Sequence, residues 1–163
     1  MADYAQALKE AYASVPAEQV ILDTLELRHP AFVDDEGRPA AARIVRGFEN
    51  LFATLEADAP MDPGRTVEFV AMPFDFKLPG FEEGRVPELG ITLDNIGREL
   101  QGWLEAASSS PQVLEATYRS YLVSDLSGPQ MDPPIHMLVT EVSSDVFPIR
   151  LKASMDDGNN WAF

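Results

Sequence analysis

The chain contains no cysteine among its 163 residues and only two histidines, His29 and His136. Without cysteine, neither a disulfide framework nor a thiolate metal site can form. Two histidines could build a zinc site only with help from carboxylates, and their positions match no known spacing of metal ligands. The sequence therefore predicts a protein that folds without a bound metal and without an organic cofactor.

Long apolar runs and positive charge are both scarce. No run approaches the roughly 18 residues of a membrane-spanning helix, and the N-terminus lacks the basic and apolar segments of a secretory signal. Twelve lysines and arginines stand against 27 acidic residues, which gives a net charge of −15. Such a chain repels the phosphate backbone, so we expect no specific nucleic-acid binding, although DNA could pass along it without sticking. Folding in the cytoplasm is expected.

Familiar catalytic motifs are missing as well. The sequence contains no G-x-S-x-G, P-loop, G-x-G-x-x-G or H-E-x-x-H pattern. The acidic clusters at 34–36 and 82–83 lie in predicted loops, where acids are usually solvated. The sequence does not exclude that two of these carboxylates form a catalytic pair like that of a glycosidase. The only basic concentration, Arg38, Arg43 and Arg46, is expected to pair with acidic neighbours in the same or an adjacent subunit. These features favour a structural or binding role over an enzyme.

Alternating polar and apolar residues predict seven or eight strands. The first contains Leu25 and Leu27 and is expected to run to Pro30. The strongest signal, residues 66–78, contains Pro73, which predicts an edge position or a bulge. Strands do not alternate regularly with helices, so a doubly wound parallel sheet is disfavoured. The predicted fold class is α+β, an antiparallel β-barrel or sandwich with an N-terminal helix and one inserted helix.

The inserted helix is predicted where "GITLDNIGREL", residues 90–100, changes from the period of a strand to that of a helix. We predict this helix over residues 95–107. Asp94 and Asn95 stand at the junction and are expected to cap the helix rather than to act in catalysis. The helix face expected to pack on the sheet consists of Ile96, Leu100, Trp103 and Leu104.

A second helix is predicted over residues 1–15, followed by a β-rich core over 19–154 and an irregular tail over 155–163, all within a single domain, 1–163. Helices this short are marginal in water, so its apolar side must dock on the β-rich core or on a neighbouring subunit. Tyrosine is enriched at partly wet interfaces, so we predict a subunit interface. Its residues, here called the N-terminal stripe, are Tyr4, Leu8, Ala11 and Tyr12.

Several blocks, read in order, resemble a family of domains of unknown function encoded in the tail-gene clusters of tailed bacteriophages and prophages. The most specific are "LELRHPAF" (25–32), "PELGITLDNIGREL" (87–100) and "YRSYL…D…SGP" (118–129). None of them is catalytic. The resemblance implies a virion role in the distal tail, near the junction of tail tube, distal tail protein and baseplate hub. By fold analogy it also implies a tail-tube-like β domain.

The expected function is therefore that of a structural virion protein, part of the ring or hub at the tail tip. Its expected partners are the tail tube, the hub and further copies of itself in a homo-oligomeric ring, through which DNA passes without specific binding. It would be assembled in the host cytoplasm and end in the virion tail. One alternative is a tail assembly factor absent from the mature virion. Another is a small cell-wall hydrolase or peptidase using Glu82, Glu83 or His29.

Overall fold

The structure, a computed structural model, describes residues 20–77, 88–93, 97–131, 133–143 and 149–155. Several predictions fall outside the described residues and stay predictions. They concern the N-terminal helix with its stripe (Tyr4, Leu8, Ala11 and Tyr12), the acids Glu82 and Glu83, the junction residues Asp94, Asn95 and Ile96, and residues 156–163 of the tail.

The described residues contain nine strands and one helix. In chain order they are β1 (Ile21–Val33), β2 (Pro39–Val45), β3 (Leu51–Thr54), β4 (Thr66–Ala71), β5 (Phe74–Lys77), β6 (Glu88–Leu93), α1 (Arg98–Ser108), β7 (Leu114–Leu122), β8 (Ile135–Ser143) and β9 (Ile149–Met155). The strands form one sheet in the order β3-β4-β2-β1-β7-β8-β9-β6-β5. Neighbouring strands are antiparallel except β2 and β4, which run parallel.

The predicted fold class is therefore wrong. The described residues form a single mixed sheet with one helix of eleven residues, so the fold is nearly all-β rather than α+β, and the predicted antiparallel barrel or sandwich is replaced by this sheet. The parallel pair arises because the chain leaves β2, forms the outer strand β3 and returns as β4, which lies between them. Alternation shows which residues share a face, but not which strands become neighbours.

The strand predicted over residues 66–78 is in fact two strands, separated by Met72 and Pro73. Proline has no N–H to donate to a ladder, so the strand pattern breaks there. β4 lies next to one edge of the sheet, whereas β5 forms the opposite edge. Three Cα steps from Ala71 to Phe74 span at most about 11 Å. The sheet must therefore curve until its two ends come close together.

One hydrophobic core lies on the face that the curved sheet encloses. It collects side chains from β2 near one end of the sheet, from β5 at the other end and from α1, which a flat sheet could not bring together. Phe32 is completely buried in this core, and its ring stacks on that of Trp103 with centroids 4.9 Å apart. The main contributors are Leu25, Leu27, Ile44, Phe74, Ile91, Leu93, Leu100, Leu104, Tyr118, Met137 and Leu151.

Helix α1 begins after an N-cap at Gly97, three residues later than the predicted start at 95. Gly97 has no side chain to cap the helix, and Glu99 supplies the negative charge that favours the first turn. The predicted burial of Leu100 and Leu104 is confirmed, and the half-buried Trp103 packs against the same core. The residues of β6 lead to this helix, so the change of period in the sequence marks a real boundary.

The opposite face of the sheet carries a second, smaller core of Val45, Ala53, Leu55, Ala59, Phe69 and Tyr121. Residues 55–65, here called the covering loop, contribute Leu55 and Ala59 to it. Leu126 closes the other side, where its carbonyl accepts the N–H of Thr54 at 2.9 Å. Because both faces of β1 are covered, every residue from 23 to 29 is buried.

Candidate functional site

Charged side chains are buried beneath the covering loop, on the face of β1 opposite Leu25 and Leu27. Successive residues of a strand point to opposite faces, so Thr24, Glu26 and Arg28 share this second face. The strand register places Glu26 beside Arg43 of β2 and Thr117 of β7. Glu26 and Arg119 are both completely buried. Charged residues are almost never buried to this extent unless they are paired, so their partners decide what the site can do.

Glu26 is the centre of this arrangement and faces three guanidinium groups. Arg28 donates to its Oε1, and Arg43 donates from Nε to Oε2 at 2.6 Å. Nη1 of Arg119 lies 3.4 Å from Oε1. Burial acts to raise the pKa of Glu26, but the charges of Arg119, Arg43 and Arg28 together hold the pKa below its ordinary value of 4.5. Glu26 is therefore an ionised carboxylate inside the protein.

The covering loop is tied to this centre by two more acids. Arg119 donates to both carboxylate oxygens of Glu56, at 2.7 and 2.9 Å, the fork geometry of the strongest pairs. Arg43 also donates to Asp62 at 3.0 Å. Three arginines thus face three carboxylates beneath the covering loop, and the half-exposed Glu115 lies 3.7 Å from Nε of Arg28 as a fourth acid at the margin. We call this set of six, Glu26, Arg28, Arg43, Glu56, Asp62 and Arg119, the buried charge network.

The two histidines lie on opposite faces of the sheet. Nδ1 of His29 accepts the N–H of Ala31 at 2.9 Å, so the proton is on Nε2, which lies 3.1 Å from the carbonyl of Gln112. His136 instead lies beside the buried charge network, with Nδ1 2.9 Å from the hydroxyl of Thr117. The described part of the chain contains no group of three or more acids and histidines that could hold a metal ion. The histidines therefore act as hydrogen-bonding groups within the fold.

Each arginine of the basic stretch pairs with carboxylates of its own chain, which confirms the prediction for Arg38, Arg43 and Arg46. Arg43 belongs to the buried charge network, and the other two form pairs nearer the surface. The contacts are Arg38 with Asp34 at 3.2 Å and Glu36 at 2.8 Å, and Arg46 with Asp75 at 3.0 Å and Asp23 at 4.0 Å. The stretch is therefore neutralised within the protein.

A second candidate site is exposed and apolar. Phe48, in the turn after β2, is 105% exposed, Phe52 of β3 is 61% exposed and Val70 of β4 is 44% exposed. The register pairs Phe52 with Glu68, so Val70 is its diagonal neighbour on the same face. We call Phe48, Phe52 and Val70 the edge patch. Exposed acids border it, namely Glu49 and Glu68. An aromatic patch with a polar border is typical of a protein-binding surface.

The backbone of β3 offers little room for another strand. The N–H of Leu55 bonds to Arg65, so by the antiparallel alternation the backbone groups of Phe52 and Thr54 point away from β4. Those of Thr54 are occupied, because its N–H donates to Leu126 and its carbonyl accepts the hydroxyl of Tyr121 at 2.9 Å. A partner at this edge would therefore bind through the side chains of the edge patch rather than by extending the sheet.

The buried charge network predicts a loss of stability in acid. Burial raises the pKa of Glu56 and hydrogen bonds from Arg119 lower it, with a net shift downward as for Glu26. A lowered folded-state pKa gives stability that is complete above the unfolded value, about 4.5, and is lost as the pH falls through the folded value. We expect the free energy of unfolding, measured by urea denaturation, to fall steadily below about pH 4.5. In the E56Q variant the free energy of unfolding should fall less steeply with pH. Parallel pH curves for E56Q and the unsubstituted protein would contradict the contribution of Glu56.

Comparison with known proteins supports one part of the sequence analysis. No helix among the described residues is long and apolar enough to cross a membrane. No curated protein matches the chain. A family model described as a domain of unknown function, DUF1833, matches residues 7–163, which is nearly the whole length. The predicted resemblance to a domain family of unknown function is confirmed, and the chain belongs to the DUF1833 family.

Proposed function

We propose that the protein is a structural component of the distal tail or baseplate of a tailed bacteriophage, part of the ring or hub at the tail tip. The observation that carries this proposal is the edge patch, which exposes Phe52 and Val70 on one face of the sheet and Phe48 in the turn after β2. A patch of this kind is suited to binding other proteins. The resemblance of "LELRHPAF" and "YRSYL" to tail-module proteins supplies the setting, with the tail tube and hub as partners.

The ion pairs and hydrogen bonds made by the ionisable groups support a structural role over a catalytic one. Glu26 is closed beneath the covering loop, and its carboxylate is held by three arginines. Both ring nitrogens of His29 are at hydrogen-bonding distance from backbone groups. A general acid or base needs access to its substrate, whereas these groups tie strands and loops together. In this proposal the protein has no catalytic residue.

The charge of the chain fits a conduit for DNA. A net charge of −15 makes the protein repel the phosphate backbone, so DNA can slide past without being retained. The basic stretch does not offset this effect, since its arginines are paired with acids of the same chain. Assembly would take place in the host cytoplasm, and the finished protein would reside in the virion tail.

The test is quantitative mass spectrometry of purified virions from a phage or induced prophage that encodes this chain. We expect the protein in a fixed ratio to the tail-tube subunit, because a ring contains a set number of copies. Labelling with antibody should place it at the tail tip. Presence in infected cells but absence from virions would overturn the proposal in favour of an assembly factor. Hydrolysis of peptidoglycan by the purified protein would favour the cell-wall hydrolase.

A further inference from the structure

We propose that the edge patch of one copy receives the N-terminal stripe of the next copy, so that successive copies are joined into a ring. This inference rests on the proposed function, because it supplies the subunit contact that a ring requires. A ring uses a heterologous interface, in which one surface of each subunit meets a different surface of its neighbour. The edge patch and the N-terminal stripe are two such unlike surfaces.

The edge patch is suited to binding a short apolar segment. Aromatic side chains bury roughly 150–250 Å² each, and Phe48 is fully exposed while Phe52 is mostly exposed. The inward side of β3, in contrast, places Ala53 in the second core. No described residue of the same chain covers Phe48, so these apolar side chains are available to another molecule.

The N-terminal segment matches the patch in both polarity and charge. Its stripe, Tyr4, Leu8, Ala11 and Tyr12, recurs in the sequence at the spacing of one helix face. Lys9 stands next to the stripe and is the only basic residue before Arg28. The patch is bordered by Glu49 and Glu68, which would attract that lysine and accept the tyrosine hydroxyls.

The described chain begins at the end of the sheet that carries Phe48, and the ring of the proposed function requires the N-terminal segment to meet the edge patch of a neighbouring copy. The carbonyl of Val20 accepts the N–H of Val123, and the N–H of Arg46 donates to Asp23, so β1 begins at the end of the sheet where Phe48 is exposed. Only residues 13–19 connect Val20 with the stripe. The exchange of one element between identical chains is a known route to oligomers.

The absence of native cysteine allows a direct test. The full-length double variant L8C/F52C would be oxidised and examined on non-reducing gels. We expect a ladder of covalent dimers and higher species, because the two thiols of one interface belong to different chains. L8C/V113C is the matched control, since Val113 is also exposed, at 52%, but lies in the loop before β7. A cross-link confined within single chains, or a ladder no stronger than the control's, would overturn the inference.

Substitution of the patch gives a second, independent readout. In the full-length chain, F48S/F52S should raise the concentration needed for half-maximal assembly at least tenfold by sedimentation, while V113S leaves it unchanged. Circular dichroism checks that each variant is folded. Deletion of residues 1–14 should have the same effect as the patch substitution. A protein found in virions that forms rings unaffected by F48S/F52S would overturn this inference and leave the proposed function standing. Absence from virions would instead overturn the proposed function.

Discussion

Replacing Glu26 by alanine is expected to lower the free energy of unfolding by about 3–5 kcal/mol. The substitution removes the carboxylate that faces Arg28, Arg43 and Arg119. Arg119 is completely buried, so water cannot replace the lost carboxylate there. Uncompensated charge in the interior is much more costly than the loss of a solvated pair. Urea denaturation at pH 7, followed by circular dichroism, measures the change.

The matched control is E36A, which removes an exposed carboxylate paired with Arg38 at 2.8 Å. The side chains of both Glu36 and Arg38 are about 70% exposed, so this substitution should cost less than about 1 kcal/mol. Equal losses for E26A and E36A would show that water reaches Glu26 in solution. After E26A, Arg43 keeps Asp62 and Arg119 keeps Glu56. The expected difference therefore reflects the excess of positive charge left in the interior and the loss of the carboxylate that holds Arg28.

Periodicity predicted the local structure well where one face of an element is apolar. In β3 and the residue after it, Leu51, Ala53 and Leu55 alternate with polar or outward residues, and Ala53 and Leu55 are buried. The same alternation places Phe52 on the exposed side of β3, so the sequence already contains the signal for the edge patch. A strand with a large apolar residue on its solvent side is a candidate interface.

The pairing of strands and the burial of the second face of β1 could not be predicted in the same way. Thr24, Glu26 and Arg28 have the pattern of a solvent-exposed face, and they are buried because the covering loop, distant in sequence, folds over them. The only local hint is that Glu26 and Arg28 are opposite charges two residues apart on one strand. The other two arginines that face Glu26, Arg43 and Arg119, come close to it only through the register of β1 with β2 and β7.

Replacing Leu100 by alanine should lower the free energy of unfolding by about 2–5 kcal/mol, because α1 covers the enclosed core with this residue and Leu104. The loss combines the transfer free energy of the removed atoms with the cavity that they leave, and the surrounding strands cannot collapse to fill it. Gln101 provides the control on the same helix, since it is exposed and alanine is a good helix former. Urea denaturation should therefore separate L100A from Q101A by at least about 1.5 kcal/mol. Equal stability of the two variants would contradict the packing of α1 against β1, since an 11-residue helix held only by its own propensity would not distinguish its inner from its outer side.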